Sequence, residues 1–374
     1  MTPLATGRDA RVIVCGTKFG RIYLAAFRDD PAFPFKLAGI LAQGSDRSRA
    51  CAQFYDVPLY EEPDELPGDI DIACVVVSSG INGGPGAKLA RTLMARGIHV
   101  LQEHPLHHDE LAECLRDARQ HQVAYHLNTH YIHLDPVLNF LKAACQLAEQ
   151  QKAEFIDAMC AIQVAFPLLD IIGQALGQLR PWAFSTVAGD TSGGDAPYRS
   201  VDGQIGGIPL TLRVQNQLDP TDPDNHAHIL HRITIGCQGG NLTLLNTHGP
   251  TYWSPRPHLP SEAHEAVLLD ELTASHLAFP TAEPIGPALA PSYQEILGSI
   301  WPAGIRRALL ELQAAIVGEN DTLRAGQYYL TLCRLWQDAT AQLGYPKLMR
   351  RSEPTPLPAT VLQPQSHVQM DVCA

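Results

Sequence analysis

From residue 11 to residue 129, short apolar runs alternate with stretches of helical spacing, and few architectures accommodate that order. The runs RVIVCG (11–16), FKLAGILA (35–42), DIACVVVSS (71–79), HVLQE (99–103) and VAYHLNT (123–129) have the length and composition of strands. Between them, GRIYLAAFRDD, SDRSRACAQFY, PGAKLARTLMARG and HDELAECLRDARQH repeat their apolar residues at the helical period. Strand, helix, strand, helix in sequence predicts an α/β fold, a doubly wound parallel sheet with helices on both faces. After Pro136 the pattern changes. PVLNFLKAACQLAEQQKA (136–153) reads as a helix. Alternating segments come next, EFIDAMCAIQ, WAFSTVAG, LTLRVQNQL, ILHRITIGC and GNLTLLNTHGPTYW, with turn signals GGD, DPTDPD and CQGGN between them. That order predicts an α+β unit on a mostly antiparallel sheet with one covered face. Segment 305–344 returns to helix, and the proline-rich stretch beyond 352 lacks periodicity. The expected division is a dinucleotide-binding unit at 1–133, an α+β unit at 134–351 and a mobile tail at 352–374. Two domains are the default for 374 residues.

The first strand runs into a loop that departs from the familiar glycine spacing. Glycines are expected at 15, 17 and 20; the chain has Cys15, Thr17 and Gly20, with an additional Gly16. A phosphate loop needs a tight turn and close backbone approach at the start of a helix. Gly16 supplies the permissive backbone, small Thr17 stands for the second glycine, and Gly20 lets the helix pack on the strand. Lys18 and Phe19 complete the loop. At the end of the second strand, where an NAD site places a carboxylate for the ribose diol, the chain reads Gln43, Gly44, Ser45, with Asp46 beyond on the turn. Ser45 and Ser48 with Arg47 and Arg49 suit a ribose 2′-phosphate, which arginine holds bidentately, so NADPH is the expected cofactor. Ser45 also has the sequence position of a helix N-cap. Ser78, Ser79 and Asn82 end the third strand and are candidates for lining a nicotinamide pocket.

Glu103-His104-Pro105 follows the fourth strand, on the carboxyl edge where open parallel sheets bind ligands. His104, His107 and His108 form a local cluster, but no partner ligands stand at metal-binding spacing, and no metal is expected. Strand alternation assigns Asn128 and His130 to one face and Thr129 and Tyr131 to the other. Alternation likewise puts His226 and His228 on one face of a strand, as polar surface. The stretch 190–200 reads as a glycine-rich substrate-side loop or a plain connection, and Trp253 as a core residue or an aromatic cover.

A net charge of −12 argues against nucleic acid and anionic membranes as partners. Nine cysteines without a CxxC pair read as reduced thiols. No run approaches a membrane span, and the first residues lack a basic segment followed by an apolar one, so a cytoplasmic protein is expected.

The plan and motifs resemble the Gfo/Idh/MocA oxidoreductases, a Rossmann domain followed by an antiparallel α/β substrate domain. That superfamily carries Glu-Lys-Pro where this chain has Glu103-His104-Pro105, and an Asp with a His four residues on, where PLLDIIGQALG offers Asp170 and Gln174. With the lysine and histidine both absent, a sugar dehydrogenase is disfavoured. The segments GTKFGRIYLAAF, LAQGSDRSR, QEHPLHHDEL, NTHYIHLDP and DPTDPDNHAHILHRITIG, between about residues 11 and 345, are similar to the thiazolinyl imine reductases of yersiniabactin- and pyochelin-type siderophore assembly lines. The resemblance implies NADPH-dependent reduction of a thiazoline C=N to a thiazolidine, in trans, on an intermediate bound to the carrier protein of a nonribosomal peptide synthetase. It also implies His104 and Tyr131 as the catalytic pair, and a homodimer through the second sheet. Histidine titrates near neutrality and suits the proton donor that imine reduction needs; a phenol is the weaker acid. Gly16, Thr17, Lys18, Phe19, Gly20, Ser45, Arg47, Ser48, Ser78 and Glu103 are the cofactor set, Asn128 and His130 the substrate set. GIRRALL (304–310) and YPKLMRR (345–351) are the basic stretches open to a carrier protein. The rivals are reduction of another imine, a sugar or a tetrapyrrole by a related oxidoreductase, or a non-catalytic NADP(H)-binding partner of an assembly line.

Overall fold

The structure, a computed structural model, describes residues 8–28, 30–77, 84–186, 196–223 and 225–362. Ser78, Ser79, Asn82, most of the 190–200 stretch and the last part of the tail lie outside these residues. In the first half the described chain runs β1 (Ala10–Cys15), α1 (Gly20–Ala25), β2 (Phe35–Leu41), α2 (Asp46–Tyr55), β3 (Leu59–Tyr60), β4 (Ile72–Val75), α3 (Pro85–Ala95), β5 (His99–Glu103), α4 (His108–Gln120) and β6 (Tyr125–Asn128). The strands form one parallel sheet in the order β3-β2-β1-β4-β5-β6. The order reverses between β1 and β4, so the carboxyl ends of those strands open a crevice at the switch point. Pattern reading anticipated five of the strands and missed β3, whose two residues are too short to show a period.

Alternation along β1 sorts its side chains to two cores. Val12 and Val14 face α1, while Ile13 and Cys15 face α3 and α4. The first of these faces is closed by a helix from the far end of the chain. After α5 (Asp135–Gln150), β7 (Ala153–Ala161) and α6 (Ala165–Leu176), the second half lays down β8 (Trp182–Thr186), β9 (Tyr198–Ile205), β10 (Ile208–Gln215), β11 (Gln217–Leu218), β12 (His231–Cys237), β13 (Gly240–Leu244), β14 (Thr251–Pro255) and β15 (Glu283–Ile285). A helical run then begins at α7 (Tyr293–Glu295) and passes through a π turn (Ile296–Ile300) into α8 (Trp301–Ile316). α8 buries Ile305, Ala308, Leu309 and Leu312 against Val12, Val14, Tyr23 and Leu24. Each fully buried aliphatic side chain contributes roughly 1.5–3 kcal/mol there. α9 (Thr322–Leu343) and β16 (Lys347–Leu348), which pairs with β11, complete the chain.

The second sheet has the order β15-β14-β13-β12-β7-β10-β9-β8 and is antiparallel except for the β7–β10 pair. One face is covered by α5, α6 and α9, as the alternation predicted. β9 lies partly where a loop was expected, and GNLTLLNTHGPTYW splits into β13 and β14 around a turn. The strand expected to begin at Ile229 begins at His231; His226 and His228 precede it in irregular chain. Arginines of both basic stretches are engaged within the chain, while Tyr345, Lys347, Leu348 and Arg350 of the second are exposed. Arg306 donates to Ala26 O (2.7 Å) and Arg28 O, Arg307 to His133 O and Asp135, and Arg351 to Gln217. These arginines tie the end of the chain down. The eight cysteines described are all free, and no helix among the described residues is long and apolar enough to cross a membrane.

Asp170, fully buried on α6, joins three elements. Its carboxylate accepts from Thr129 Oγ1 after β6 (2.6 Å), Tyr328 Oη on α9 (2.6 Å) and Gln174 Nε2 (3.3 Å). Burial raises its pKa and these three donors oppose the rise. Removing the acceptor strands buried donors, at a cost of about 1–3 kcal/mol each. Asp170→Ala is therefore expected to lower unfolding free energy by about 3 kcal/mol in urea titration. An unchanged midpoint would show that the carboxylate does not hold these elements together.

Candidate active site

At the switch point, Gly16 has φ +91°, and a Cβ there would stand 2.6 Å from the Val76 carbonyl oxygen. No side chain fits. A Cβ on Gly20 would meet Val14 Cγ1 at 3.3 Å, which brings α1 close against β1. Gly16 N–H donates to Leu41 O (2.9 Å), while the amides of Thr17, Lys18, Phe19 and Gly20 find no acceptor among the described residues. Free amides at the crest of a glycine-pinned loop suit a pyrophosphate. Because α1 has only six residues, these amides matter more than its dipole. Thr17 is buried, Phe19 half-buried and Lys18 exposed.

Ser45 caps α2, its Oγ accepting from Ser48 N (3.2 Å). Ser48 is fully buried, and its hydroxyl donates to Ser45 O (2.7 Å), so it shapes the turn from within. Arg49 pairs with Asp46 (3.2 Å), whereas exposed Arg47 has no hydrogen bond or ion pair among the described residues. A residue outside the expected set enters here. A Cβ on Gly44 would lie 2.3 Å from Glu61 Oε1 and 3.3 Å from Arg49 Nη1, so glycine admits the Glu61 carboxylate beside the turn. Glu61 follows β3, and without that strand the sequence offered no way to place it. The residues fit a dinucleotide: amides for the pyrophosphate, Ser45 and Arg47 at the ribose end, and a cradle that a Cβ on Gly16 would fill.

β5 and β6 end side by side, Glu103 opposite Asn128. Glu103 Oε2 accepts from Tyr23 Oη of α1 and from Asn128 Nδ2 (3.4 Å); Asn128 Nδ2 also donates to Tyr23 Oη (2.6 Å). Burial, with the Glu103 charge added, holds the Tyr23 pKa well above the usual phenol value, so Tyr23 stays a donor. Glu103 Oε1 faces His104 Nδ1 at 2.9 Å, and Asn128 O lies 3.2 Å from the same nitrogen. Both neighbours are acceptors, so Nδ1 carries a hydrogen in either charge state. Nε2 has no protein partner among the described residues. The ring stacks on Phe166 (5.9 Å between centroids, 13° between planes), and Tyr131 lies 6.4 Å away.

Tyr131 sits in a cluster of aromatic rings. His130 is 5.3 Å from it, His231 4.7 Å and Trp301 6.4 Å, and Phe19 and His248 stand within about 6 Å of Trp301. The alternation expected beyond Asn128 stops at His130, whose φ of +61° turns the chain. His130 and Tyr131 therefore enter the same cluster, Asn128 turns to Glu103 and Thr129 to Asp170. A non-glycine residue at such an angle costs about 1–3 kcal/mol and concentrates at functional sites. Both ring nitrogens of His130 are buried without a partner among the described residues. His231 donates from Nε2 to Val164 O (3.0 Å) and accepts from Thr247 Oγ1 at Nδ1 (3.0 Å). His248 Nε2 accepts from Trp301 Nε1 (2.9 Å).

Burial lowers all three histidine pKa values, His130 well below the usual value, His231 to about 3 and His248 to about 4. The cluster is uncharged at neutral pH. Tyr23, His231, His248 and Trp301 lie outside the set expected from the sequence. The signal for His231 and His248 lay in HAHILH and LLNTHGPTYW, where the inward histidines are the last of the first segment and the single one of the second. Trp253 is on β14 against Gly240, within the second core, and Trp301 is the tryptophan of the site. Asp170 and Gln174 are not beside His104. The start of α6, with Phe166, faces it, and Gln174 lines a separate cavity of about 660 Å³ with His126, His133 and Glu311. No cluster of metal ligands occurs among the described residues.

Three buried neutral histidines make stability depend on pH with a definite sign. Above about pH 6.5 they are neutral folded or unfolded. Below it the unfolded chain takes up protons that the fold refuses until about pH 4 for His248 and about 3 for His231, so stability falls as pH drops through that window. Urea titrations at pH 7.5, 6 and 5 are expected to show a loss approaching about 1.4 kcal/mol per pH unit for each histidine. Replacing His231 by Gln should flatten the slope by about one proton; an identical slope would contradict its buried neutral state.

Comparison with known proteins agrees with this geometry. Residues 10–129, the first sheet, match the oxidoreductase family with NAD-binding Rossmann fold (Gfo/Idh/MocA). Residues 151–254, most of the second, match the C-terminal domain of thiazolinyl imine reductase Irp3-like proteins. No curated protein sequence matches. Among solved structures, UDP-N-acetylglucosamine 3-dehydrogenase GnnA from Acidithiobacillus ferrooxidans is 15% identical, with 90% of this chain and 99% of that one covered and a TM-score of 0.60. An inositol dehydrogenase homologue from Azotobacter vinelandii, complexed with NADH and myo-inositol, is 12% identical over 90% and 96% (TM-score 0.64). Biliverdin reductase from Synechocystis sp. PCC 6803, with biliverdin and NADP+, is 12% identical over 88% and 99% (TM-score 0.59). These likenesses are of fold. With one family match on each sheet, the chain is an oxidoreductase of the Gfo/Idh/MocA superfamily with an Irp3-like domain match over residues 151–254.

Proposed function

We propose that the protein is a cytoplasmic NADPH-dependent thiazolinyl imine reductase, converting a thiazoline C=N to a thiazolidine on a carrier-protein-bound siderophore intermediate of a nonribosomal peptide synthetase. The observation that carries this reading is the Glu103–His104 pair, with Nδ1 committed and Nε2 open beside Tyr131, in a site whose other histidines are neutral. The Irp3-like match supports the substrate class, and Arg47 and Ser45 support the 2′-phosphate. Free cysteines suit a reducing compartment.

Reduction of a cyclic imine places a hydride on carbon and a proton on nitrogen; the nicotinamide, when bound, supplies the hydride. The chain supplies the proton. Protonated His104 holds it at Nε2 while Glu103 keeps the Nδ1 hydrogen and balances the imidazolium charge. Once the Nε2 proton has gone to the ring nitrogen, His104 is neutral with its Nδ1 hydrogen in place, and solvent restores the other. Tyr131 offers a second donor and fixes the orientation of the ring. The uncharged cluster admits a neutral heterocycle and favours no sugar phosphate or carboxylate. In this reading residues 1–133 hold the cofactor, 134–351 hold the substrate and pair two copies in a homodimer, and 352–374 take no part.

The test is NADPH consumption with a synthetic hydroxyphenyl-thiazolinyl ester, beside NADH and a panel of sugars. Turnover is expected with the thiazoline and NADPH; reduction of a sugar in preference would sink the reading. His104→Ala should lower kcat by about 10²-fold or more, with NADPH affinity kept. Arg47→Ala should raise the KM for NADPH about tenfold and leave that for NADH unchanged. Equal effects on both cofactors would remove Arg47 from 2′-phosphate recognition.

A further inference from the structure

In the ring cluster that joins Tyr131 to Trp301, the side chains differ in what they leave open. His130 is fully buried and Tyr131 nearly so, whereas Phe19 and Trp301 are half-buried and keep accessible surface. Phe19 belongs to the cofactor loop. Trp301 comes from the other half of the chain, at the junction where the π turn Ile296–Ile300 becomes α8. Single π turns within helices are frequent at functional sites. Three contacts fix the indole. Its Nε1–H donates to His248 Nε2 (2.9 Å), it meets His130 edge-on at 5.4 Å and 88°, and it lies 6.1 Å from Phe19. Beneath it α8 is anchored by Ile305, Leu309 and Arg306. An immobilised, half-buried indole among uncharged rings, 6.4 Å from the Tyr131 ring that itself lies 6.4 Å from His104, is a preorganised surface for a flat, uncharged group.

We propose that Trp301, held in plane by His248, is the ring-recognition wall of the substrate pocket and selects imines that carry a planar, uncharged ring substituent. The proposal rests on the imine-reductase reading and names what that substrate bears next to its C=N. Stacking on an indole that binding need not order adds about 0.5–1.5 kcal/mol beyond buried area, enough for close to tenfold discrimination. An alkyl substituent gains no such contact, and a charged one would lose hydration against neutral rings.

Binding separates this proposal from the reaction. Calorimetry with the NADP+-loaded protein compares two synthetic thiazoline esters, one bearing a 2-hydroxyphenyl group and the other a methyl group. The wild-type protein is expected to prefer the aryl ester by about tenfold. Trp301→Ala should bring the two within about twofold while the far-UV circular dichroism spectrum, the check on folding, stays unchanged. Trp301→Phe, which keeps a ring, should retain most of the preference, and His248→Ala should lose part of it. A preference that survives in Trp301→Ala, or a wild-type protein that binds neither ester or both alike, overturns the proposal. A Trp301-dependent preference in a protein that does not oxidise NADPH with either ester would keep the wall and discard the reduction.

Discussion

A carboxylate that cannot be left unpaired organises the site. The Glu103 side chain is about 10% exposed, and a buried ionised carboxylate is tolerated only with donors around it. Tyr23 arrives from α1, Asn128 from β6 and His104 from the next position on its own strand, so each donor also fixes an element. The Tyr23 hydroxyl is itself oriented by Asn128, and its high pKa keeps it protonated. The chemical consequence is a fixed tautomer. With Nδ1 committed to Glu103 and to Asn128 O, His104 presents Nε2, and the stack on Phe166 sets the plane in which it points.

The second constraint is the closure of the first sheet by α8. A parallel sheet needs both faces covered, and here α1 and α2 leave part of one face to a helix about 250 residues further along the chain. Arg306 fastens α8 by donating to carbonyls beyond α1, and Arg307 ties it to His133, two residues past Tyr131. Local motif reading offered these arginines as surface for a partner. Their partners are unsatisfied backbone carbonyls of the same chain, and a lone basic pair in a sequence does not reveal whether such carbonyls lie within reach. The same packing that covers the sheet delivers Trp301 to the cofactor loop.

Legibility depended on whether a signal was local. The parallel sheet showed in the switch between strand and helix periods. Gly16 was readable because only a residue without a side chain fits where backbone meets backbone, and Gly20 because α1 there packs close against the Val14 side chain. His104 was singled out by its place after the fourth strand and by its chemistry, and Tyr131 by the family resemblance; the structure places their rings 6.4 Å apart. Glu61 was not readable, because its place beside Gly44 depends on a two-residue strand. Face assignment past Asn128 failed because period-two reasoning assumes an extended chain, and His130 turns out of it. Asp170 drew attention as a carboxylate, but its partners Thr129 and Tyr328 make it a tie between elements.

The electrostatic contrast inside the site links these features to its chemistry. Burial keeps His130, His231 and His248 neutral, while His104, beside Glu103, has a counter-charge within 3 Å. A proton on any of those three would be penalised by desolvation. They stand as neutral rings in the cluster around Tyr131 and Trp301. Replacing one of those rings by a permanently charged residue would put an uncompensated charge in the cluster of Tyr131 even with Glu103 and His104 intact.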